Sequence, residues 1–261
     1  MNKKLFVVSI VSFAALALLA IVGSGVVFAT DNPLHGKIIA LDAGHGGTEL
    51  GAQYPVACAD DGDVSDCLIF EKDVNLAVVL ALEAKLKTAG ALVALTRTDD
   101  KTISSRKERV DMAVAKCAAL DVTGDGIADN KKCDALVSVH HNGNIDPTYD
   151  GTLTIYTQNS DKPLAKALYN SLLPLTNKPE GMLNGGYGMT VYKNLVSAIT
   201  EAYYITNDCE AELYLYKTTI SASCDKAIYP DGDRIDREAQ LQIDGLSNYF
   251  TSQTGGKGRS K

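Results

Sequence analysis

Four side chains in this 261-residue chain combine the right type and position for chemistry: His45, Glu71, His140 and Glu201. His45 lies in the turn Asp42-Ala43-Gly44-His45-Gly46-Gly47, directly after the apolar run Lys37–Leu41. His140 follows the apolar run Ala135–Val139, and Glu201 follows Val196–Thr200. Glu71 opens a stretch with a helical pattern that lasts to Thr88. Open α/β sheets gather ligands beyond the carboxyl ends of their strands. If the three runs are neighbouring strands, these four groups converge on one edge. Two imidazoles and one carboxylate form the protein set of a catalytic zinc ion, with a position left for water. The remaining carboxylate would serve as a general base. A lone histidine after a strand is more often a hydrogen-bonding residue. Three strand ends that all carry suitable groups favour the catalytic reading.

The elements that must position them alternate. Strands are expected at Lys37–Leu41, Leu92–Thr96, Ala135–Val139, Thr152–Tyr156 and Val196–Thr200, each a short apolar or alternating run. Helices are expected at Glu71–Thr88, Ser105–Ala119, Lys162–Leu173, Asp208–Tyr216 and Ile235–Phe250. Gly90 sits just past the first helix, where a left-handed cap is favoured. Residues 51–70 and 120–134 are polar and read as loops, and 174–190 as irregular. Strand–helix alternation predicts a single α/β domain with a largely parallel sheet. The expected organisation is an N-terminal segment at 1–29, a linker at 30–36, the domain at 37–252 and a flexible tail at 253–261.

Residues 1–29 are a basic start, Lys3 and Lys4, followed by a 25-residue apolar run from Leu5 to Ala29. Val27-Phe28-Ala29 suits signal-peptidase cleavage, so the segment reads as a secretory signal. Its length also suffices to cross a bilayer of about 30 Å, so an uncleaved anchor is the alternative. In both cases the rest of the chain is expected outside the cytoplasm. Membrane contact is expected only through this segment.

All six cysteines lie beyond it, and an even count in an oxidising compartment predicts disulfides. Sequence-local pairs, 58–67, 117–133 and 209–224, each bracket a polar stretch. The formal net charge is -7, which excludes nucleic acid as a partner. Without residues 1–29 the balance is 23 basic against 32 acidic groups, a net -9. A monomer is expected.

Asp121–Asp129 (DVTGDGIAD) has oxygen-bearing side chains at positions 1, 3, 5 and 9 and glycine at 6, as calcium loops do. Position 12 would be Lys132, which cannot coordinate. The alternatives are bound calcium and a hydrated acidic loop held by Cys117 and Cys133.

At the level of motifs the chain resembles the zinc-dependent N-acetylmuramoyl-L-alanine amidases of the type-3 amidase family, which cut peptidoglycan. The segments that carry the resemblance are Ile38–Ala52 (IIALDAGHGGTELGA), Glu71–Leu76 (EKDVNL), Leu95–Asp99 (LTRTD), Arg106–Val110 (RKERV), Ala135–Asn142 (ALVSVHHN) and Ile199–Asn207 (ITEAYYITN). It spans roughly residues 37–250. The resemblance implies a mixed six-stranded sheet flanked by helices. It also implies His45, Glu71 and His140 as zinc ligands and Glu201 as the catalytic carboxylate. The implied partner is peptidoglycan, cut between N-acetylmuramic acid and L-alanine. An inactive wall-binding module on the same fold and a zinc peptidase acting on another stem-peptide bond are the alternatives.

Six residues depart from the family pattern or compete for roles. The family usually has a small residue after its second zinc histidine, where this chain has His141. Alternation along a strand sends His140 and His141 to opposite faces, and motif position assigns the metal to His140. Arg97 and Arg109 are expected in structural salt bridges in preference to substrate binding. Glu210 and Glu212 are expected on a helix surface, and His35 in solvent.

Overall fold

The structure is a computed structural model that describes residues 32–55, 58, 66–192, 195–217 and 220–255. The expected signal or anchor at 1–29 lies outside the described residues, as do the start of the linker and positions 256–261 of the expected tail. The described residues form one compact unit.

Eight strands and five α-helices are present among the described residues. In chain order they are β1 (Ile38–Ala43), β2 (Gln53–Tyr54), β3 (Ile69–Phe70), α1 (Glu71–Thr88), β4 (Leu92–Leu95), α2 (Arg106–Ala118), β5 (Ala135–Asn142), β6 (Thr152–Tyr156), α3 (Lys162–Leu172), β7 (Pro179–Asn184), β8 (Ser197–Tyr204), α4 (Asp208–Tyr216) and α5 (Arg234–Gly255). The main sheet has six strands in the order β4-β1-β5-β8-β6-β7. The first four are parallel; β6 runs antiparallel to β8 and parallel to β7. The expected mixed, mostly parallel six-stranded sheet is therefore present. No helix among the described residues is long and apolar enough to cross a membrane.

Both faces of the sheet are covered, which explains why its central strands read as unbroken apolar runs. On one face Leu41, Ala43, Val137 and Val139 pack against α1, α3 and α5. On the other, Ile38, Ala40 and Leu136 pack against α2 through Val110, Ala113 and Cys117. Helix α1 buries Val74, Val78, Val79, Leu82 and Leu86, the spacing of a single helical stripe. Its acids Glu71 and Asp73 lie in the first turn and Lys85 and Lys87 in the last, matching the helix dipole. Truncating the fully buried Leu82 to alanine would cost about 2–5 kcal/mol.

Several elements differ from the sequence expectation, among them the short paired strands β2 and β3 within residues 51–70, a stretch expected to be a loop. The stretch expected to be irregular contains the edge strand β7, whose proline and glycine suit an edge better than a centre. The last helix continues to Gly255, three residues into the expected tail. The expected linker is also partly built in: Leu34 is buried and the Asn32 side chain donates to Ala89 O at 2.8 Å. The three disulfides pair Cys58–Cys67, Cys117–Cys133 and Cys209–Cys224, all sequence-local.

Candidate functional site

The parallel register sets Ser138 of β5 beside Asp42 of β1 and His140 of β5 beside Glu201 of β8. Side chains at matched positions share a face, and alternation puts Asp42, Ser138, His140 and Glu201 on the face away from α5. The two-stranded ribbon β2–β3 delivers Glu71 to the same place. The Glu71 N–H donates to Ala52 O at 2.8 Å, and Ala52 N–H donates back to Glu71 Oε2 at 2.9 Å.

His45, Glu71 and His140 come together so that one ligand atom from each lies within 4.8 Å of the other two. His45 Nε2 is 3.1 Å from Glu71 Oε2, and His140 Nδ1 is 3.0 Å from Glu71 Oε1. The imidazoles meet edge to face at 4.9 Å between ring centroids. Both are partly exposed while Glu71 is buried beneath them. Burial alone would raise the Glu71 pKa, but hydrogen bonds from His140 and His45 hold it well below the usual carboxylate range.

The turn carrying His45 is built for close approach. A Cβ on Gly44 would sit 2.3 Å from the His140 ring, and one on Gly51 would sit 2.3 Å from Glu71 Oε2. His45 itself adopts a φ of 58°, in the left-handed region that non-glycine residues avoid. Two arginines hold it there. Arg97 donates to Ala43 O, Gly44 O and Lys72 O at 2.9, 2.9 and 2.7 Å. Arg109 donates to Ala43 O at 2.9 Å and His45 O at 2.6 Å, and pairs with Asp42 at 3.0 Å. The structural salt bridge expected of both is found for Arg109, whereas the Arg97 side chain donates to backbone carbonyls. Asp42 also accepts from Thr96 and Ser138 hydroxyls, each at 2.6 Å. Burial opposes its charge, yet the Arg109 guanidinium and these hydroxyls keep its pKa below the ordinary value.

His45, His140 and Glu201 line a cleft of about 800 Å³. Ile103, Ile155, Met189, Tyr187 and Tyr192 supply apolar wall, and Arg106 and Lys107 at the start of α2 supply positive charge. Glu201 Oε2 is buried and has no hydrogen-bond partner among the described residues. Burial, reinforced by the charges of Glu71 and Glu180 and opposed by His140, pushes the Glu201 pKa up to about 8.

His141 faces away from the cluster and is buried, as alternation requires. His35 is exposed. Glu210 is not on a helix surface: it is fully buried and ion-paired with Arg234, because α4 packs that face inward. Glu212 accepts from Ser221 N–H. In the Asp121–Asp129 loop, Asp121 accepts from the backbone N–H groups of Gly124 and Gly126, and Asp129 from those of Val122 and Thr123. Its carboxylates are not among the metal-capable groups of the described residues, so the calcium expectation gains no support. The other such group, Cys58, Asp66 and Cys67, contains a disulfide and offers no thiolates. The sequence reading missed Asp42 and Asn75, and it missed Arg106 and Lys107 as cleft residues. Asn75 lies one helical turn after Glu71, a spacing that does mark a shared face.

The family model for N-acetylmuramoyl-L-alanine amidase (Amidase_3) matches residues 39–230. Among curated proteins, the chain is 26% identical over 224 residues to the N-acetylmuramoyl-L-alanine amidase LytC of Bacillus subtilis, covering 84% of this chain and 36% of LytC. It is 25% identical over 224 residues to the probable cell wall amidase LytH of Staphylococcus aureus, covering 85% and 61% respectively. The chain thus spans about a third of LytC and under two thirds of LytH. Its fold is shared by the catalytic domain of the amidase CwlV from Bacillus (Paenibacillus) polymyxa, with a TM-score of 0.60, 24% identity and coverage of 82% and 98%. The N-acetylmuramoyl-L-alanine amidase of Clostridium difficile 630 shares it too, with a TM-score of 0.61, 22% identity and coverage of 83% and 98%.

Proposed function

The chain belongs to the N-acetylmuramoyl-L-alanine amidase family, and we propose that it hydrolyses the amide bond between N-acetylmuramic acid and L-alanine in peptidoglycan, using zinc held by His45, Glu71 and His140 with Glu201 as general base and acid. The observation that carries this reading is the convergence of that three-residue cluster and the unpartnered Glu201 carboxylate on one cleft. The donor set fits zinc: two imidazole nitrogens and one carboxylate oxygen, partly open to the cleft. Zinc, when bound, supplies Lewis-acid polarisation of an amide carbonyl and acidification of a water molecule.

The chain's own residues do the rest. Glu201 lines the cleft, and its carboxylate can take a proton from the attacking water. The water oxygen bonds to the lactyl carbonyl carbon, the C–N bond breaks, and Glu201 passes its proton to the departing L-alanine nitrogen. An amine leaves poorly unless protonated, so the base must double as acid. A pKa lifted by burial suits that duty. A dication beside Glu201 would draw the value down again. The apolar wall fits the N-acetyl and lactyl groups, and Arg106 and Lys107 fit the carboxylates of a stem peptide.

We place the catalytic domain at 37–252, with its last helix continuing to Gly255, and read 1–29 as a signal peptide or uncleaved anchor that puts the domain outside the cytoplasm. At net -9 the chain beyond residue 29 would be repelled by an anionic wall, so attraction must come from site recognition, a partner or bound cations.

Mass spectrometry of peptidoglycan digests tests the reading. Zinc-loaded protein should release stem peptides with a free L-alanine amino terminus, and metal-stripped protein should release none. New termini elsewhere in the peptide would mark a peptidase; no new termini with either form would mark an inactive module.

A further inference from the structure

His141 occupies the strand position after a proposed metal ligand, yet it belongs to a separate buried network. The residue is 2% exposed, and Asn75, Glu238, Gln242 and Thr200 around it are all 0% exposed. Its ring packs on Tyr203 at 4.4 Å between centroids. Nδ1 lies 2.7 Å from Asn75 Oδ1, and Nε2 lies 2.9 Å from Glu238 Oε2. The Asn75 amide donates to Gly44 O at 3.2 Å and to Glu71 Oε1 at 3.1 Å.

These contacts fix the hydrogens. Both donor sites of Asn75 face acceptors, so its Oδ1 must accept, and His141 Nδ1 must carry the hydrogen. One proton then remains in the bond between Nε2 and Glu238, whichever of the two atoms holds it. Glu238 Oε1 in turn accepts from Gln242 Nε2 at 3.2 Å, which also donates to Thr200 Oγ1 at 3.0 Å. The network therefore begins on the strand residue before Glu201 and ends on Glu71.

We propose that His141 and Glu238 are positioning residues that hold the Glu71 carboxylate, through Asn75, in the orientation the metal-capable cluster requires; this rests on the zinc reading of that cluster. The physical reason is the symmetry of an amide. An unrestrained Asn75 could rotate and set its oxygen against Glu71, carbonyl against carboxylate. A donor at His141 Nδ1 makes that rotation unfavourable at both ends at once. Glu238 selects the tautomer that provides this donor. The backbone supports the same carboxylate oxygen, since His141 N–H donates to Glu71 Oε1 at 3.1 Å. Partners of this kind around metal ligands typically change metal affinity or activity by about 10- to 100-fold when lost.

The test compares Glu238→Gln, Glu238→Leu and His141→Phe for zinc affinity, by competition with a chromophoric chelator, and for kcat and KM on peptidoglycan fragments. A glutamine can donate to Nε2 and preserve the tautomer, so Glu238→Gln should bind zinc close to wild type. Glu238→Leu and His141→Phe should bind about 10- to 100-fold more weakly, with kcat reduced and KM unchanged. Folded Glu238→Leu and His141→Phe proteins with wild-type zinc affinity would overturn the proposal and leave the network a mere brace for α5. If both disruptive variants fail to fold, nitrogen-15 spectra of the wild-type imidazoles decide: His141 must show a protonated Nδ1, and a bare Nδ1 overturns the proposal. A wild-type protein that binds no zinc would instead refute the metal reading itself.

Discussion

His140 and Glu201 stand directly opposite each other on the adjacent parallel strands β5 and β8, with their side chains on the same face of the sheet. This register places a metal-capable imidazole beside a carboxylate that has an unpartnered oxygen. Replacing Glu201 with glutamine keeps its shape and removes its proton chemistry. The rate of muropeptide release should fall by about 100- to 10,000-fold while zinc affinity stays close to wild type. Undiminished release would remove Glu201 from the mechanism.

Glycine at position 44 is a steric requirement of the same site. An alanine there would place its methyl 2.3 Å from the His140 ring, so the ring or the turn must move. Gly44→Ala should weaken zinc binding strongly in chelator competition while circular dichroism remains that of a folded α/β protein. Wild-type zinc affinity in this variant would show that His140 is free to relocate.

The Asp42–Arg109 pair predicts a pH dependence of stability. Both partners are buried, so removing one leaves a charge uncompensated; Arg109→Ala should cost about 3–5 kcal/mol in urea unfolding. Asp42 has a lowered pKa in the folded state. Its contribution is therefore present above the unfolded value of about 3.9 and is lost as pH falls through the lower folded value. Urea midpoints of the wild-type protein should drop over that acid range, and the drop should be smaller for Asp42→Asn. Equal acid sensitivity in the two proteins would assign the loss to other carboxylates.

Cys117 and Cys133 close a 16-residue separation at the end of α2. Replacing both with serine should destabilise the domain by about 3 kcal/mol on a loop-entropy argument. The thermal midpoint should fall by roughly 6–12 °C for a domain of this size. The His45–Glu71–His140 cluster lies on other elements, so zinc affinity at low temperature should be unaffected. A parallel loss of zinc would show that this loop supports the site.

Much of this was legible in the sequence, and the reason is local. The places of His45, His140 and Glu201 could be read because each follows a short, buried apolar run, although β5 does not end before His140 but continues to Asn142, and β8 continues past Glu201 to Tyr204. The opposite facing of His140 and His141 followed from alternation alone. Strand β7 was not legible, because Pro179, Gly181 and Asn184 carry loop signals and only pairing with β6 makes the segment a strand. Glu210 was misjudged because its partner Arg234 comes 24 residues later, on a different helix. The link from His141 to Glu238 crosses 97 residues and joins a strand to the last helix, so no periodicity announces it.

The disulfides join residues only 9, 16 and 15 positions apart. Six cysteines allow 15 pairings, but a chain that emerges from its N-terminus completes each of these pairs before the first cysteine of the next appears. Correct oxidation thus needs no knowledge of the final sheet. Short closures carry the smallest entropy penalty and tie no two distant strands together. Strand order is left to the core, and each covalent bond fastens only its own neighbourhood, as Cys117, itself buried in that core, ties the end of α2 to the loop that follows it.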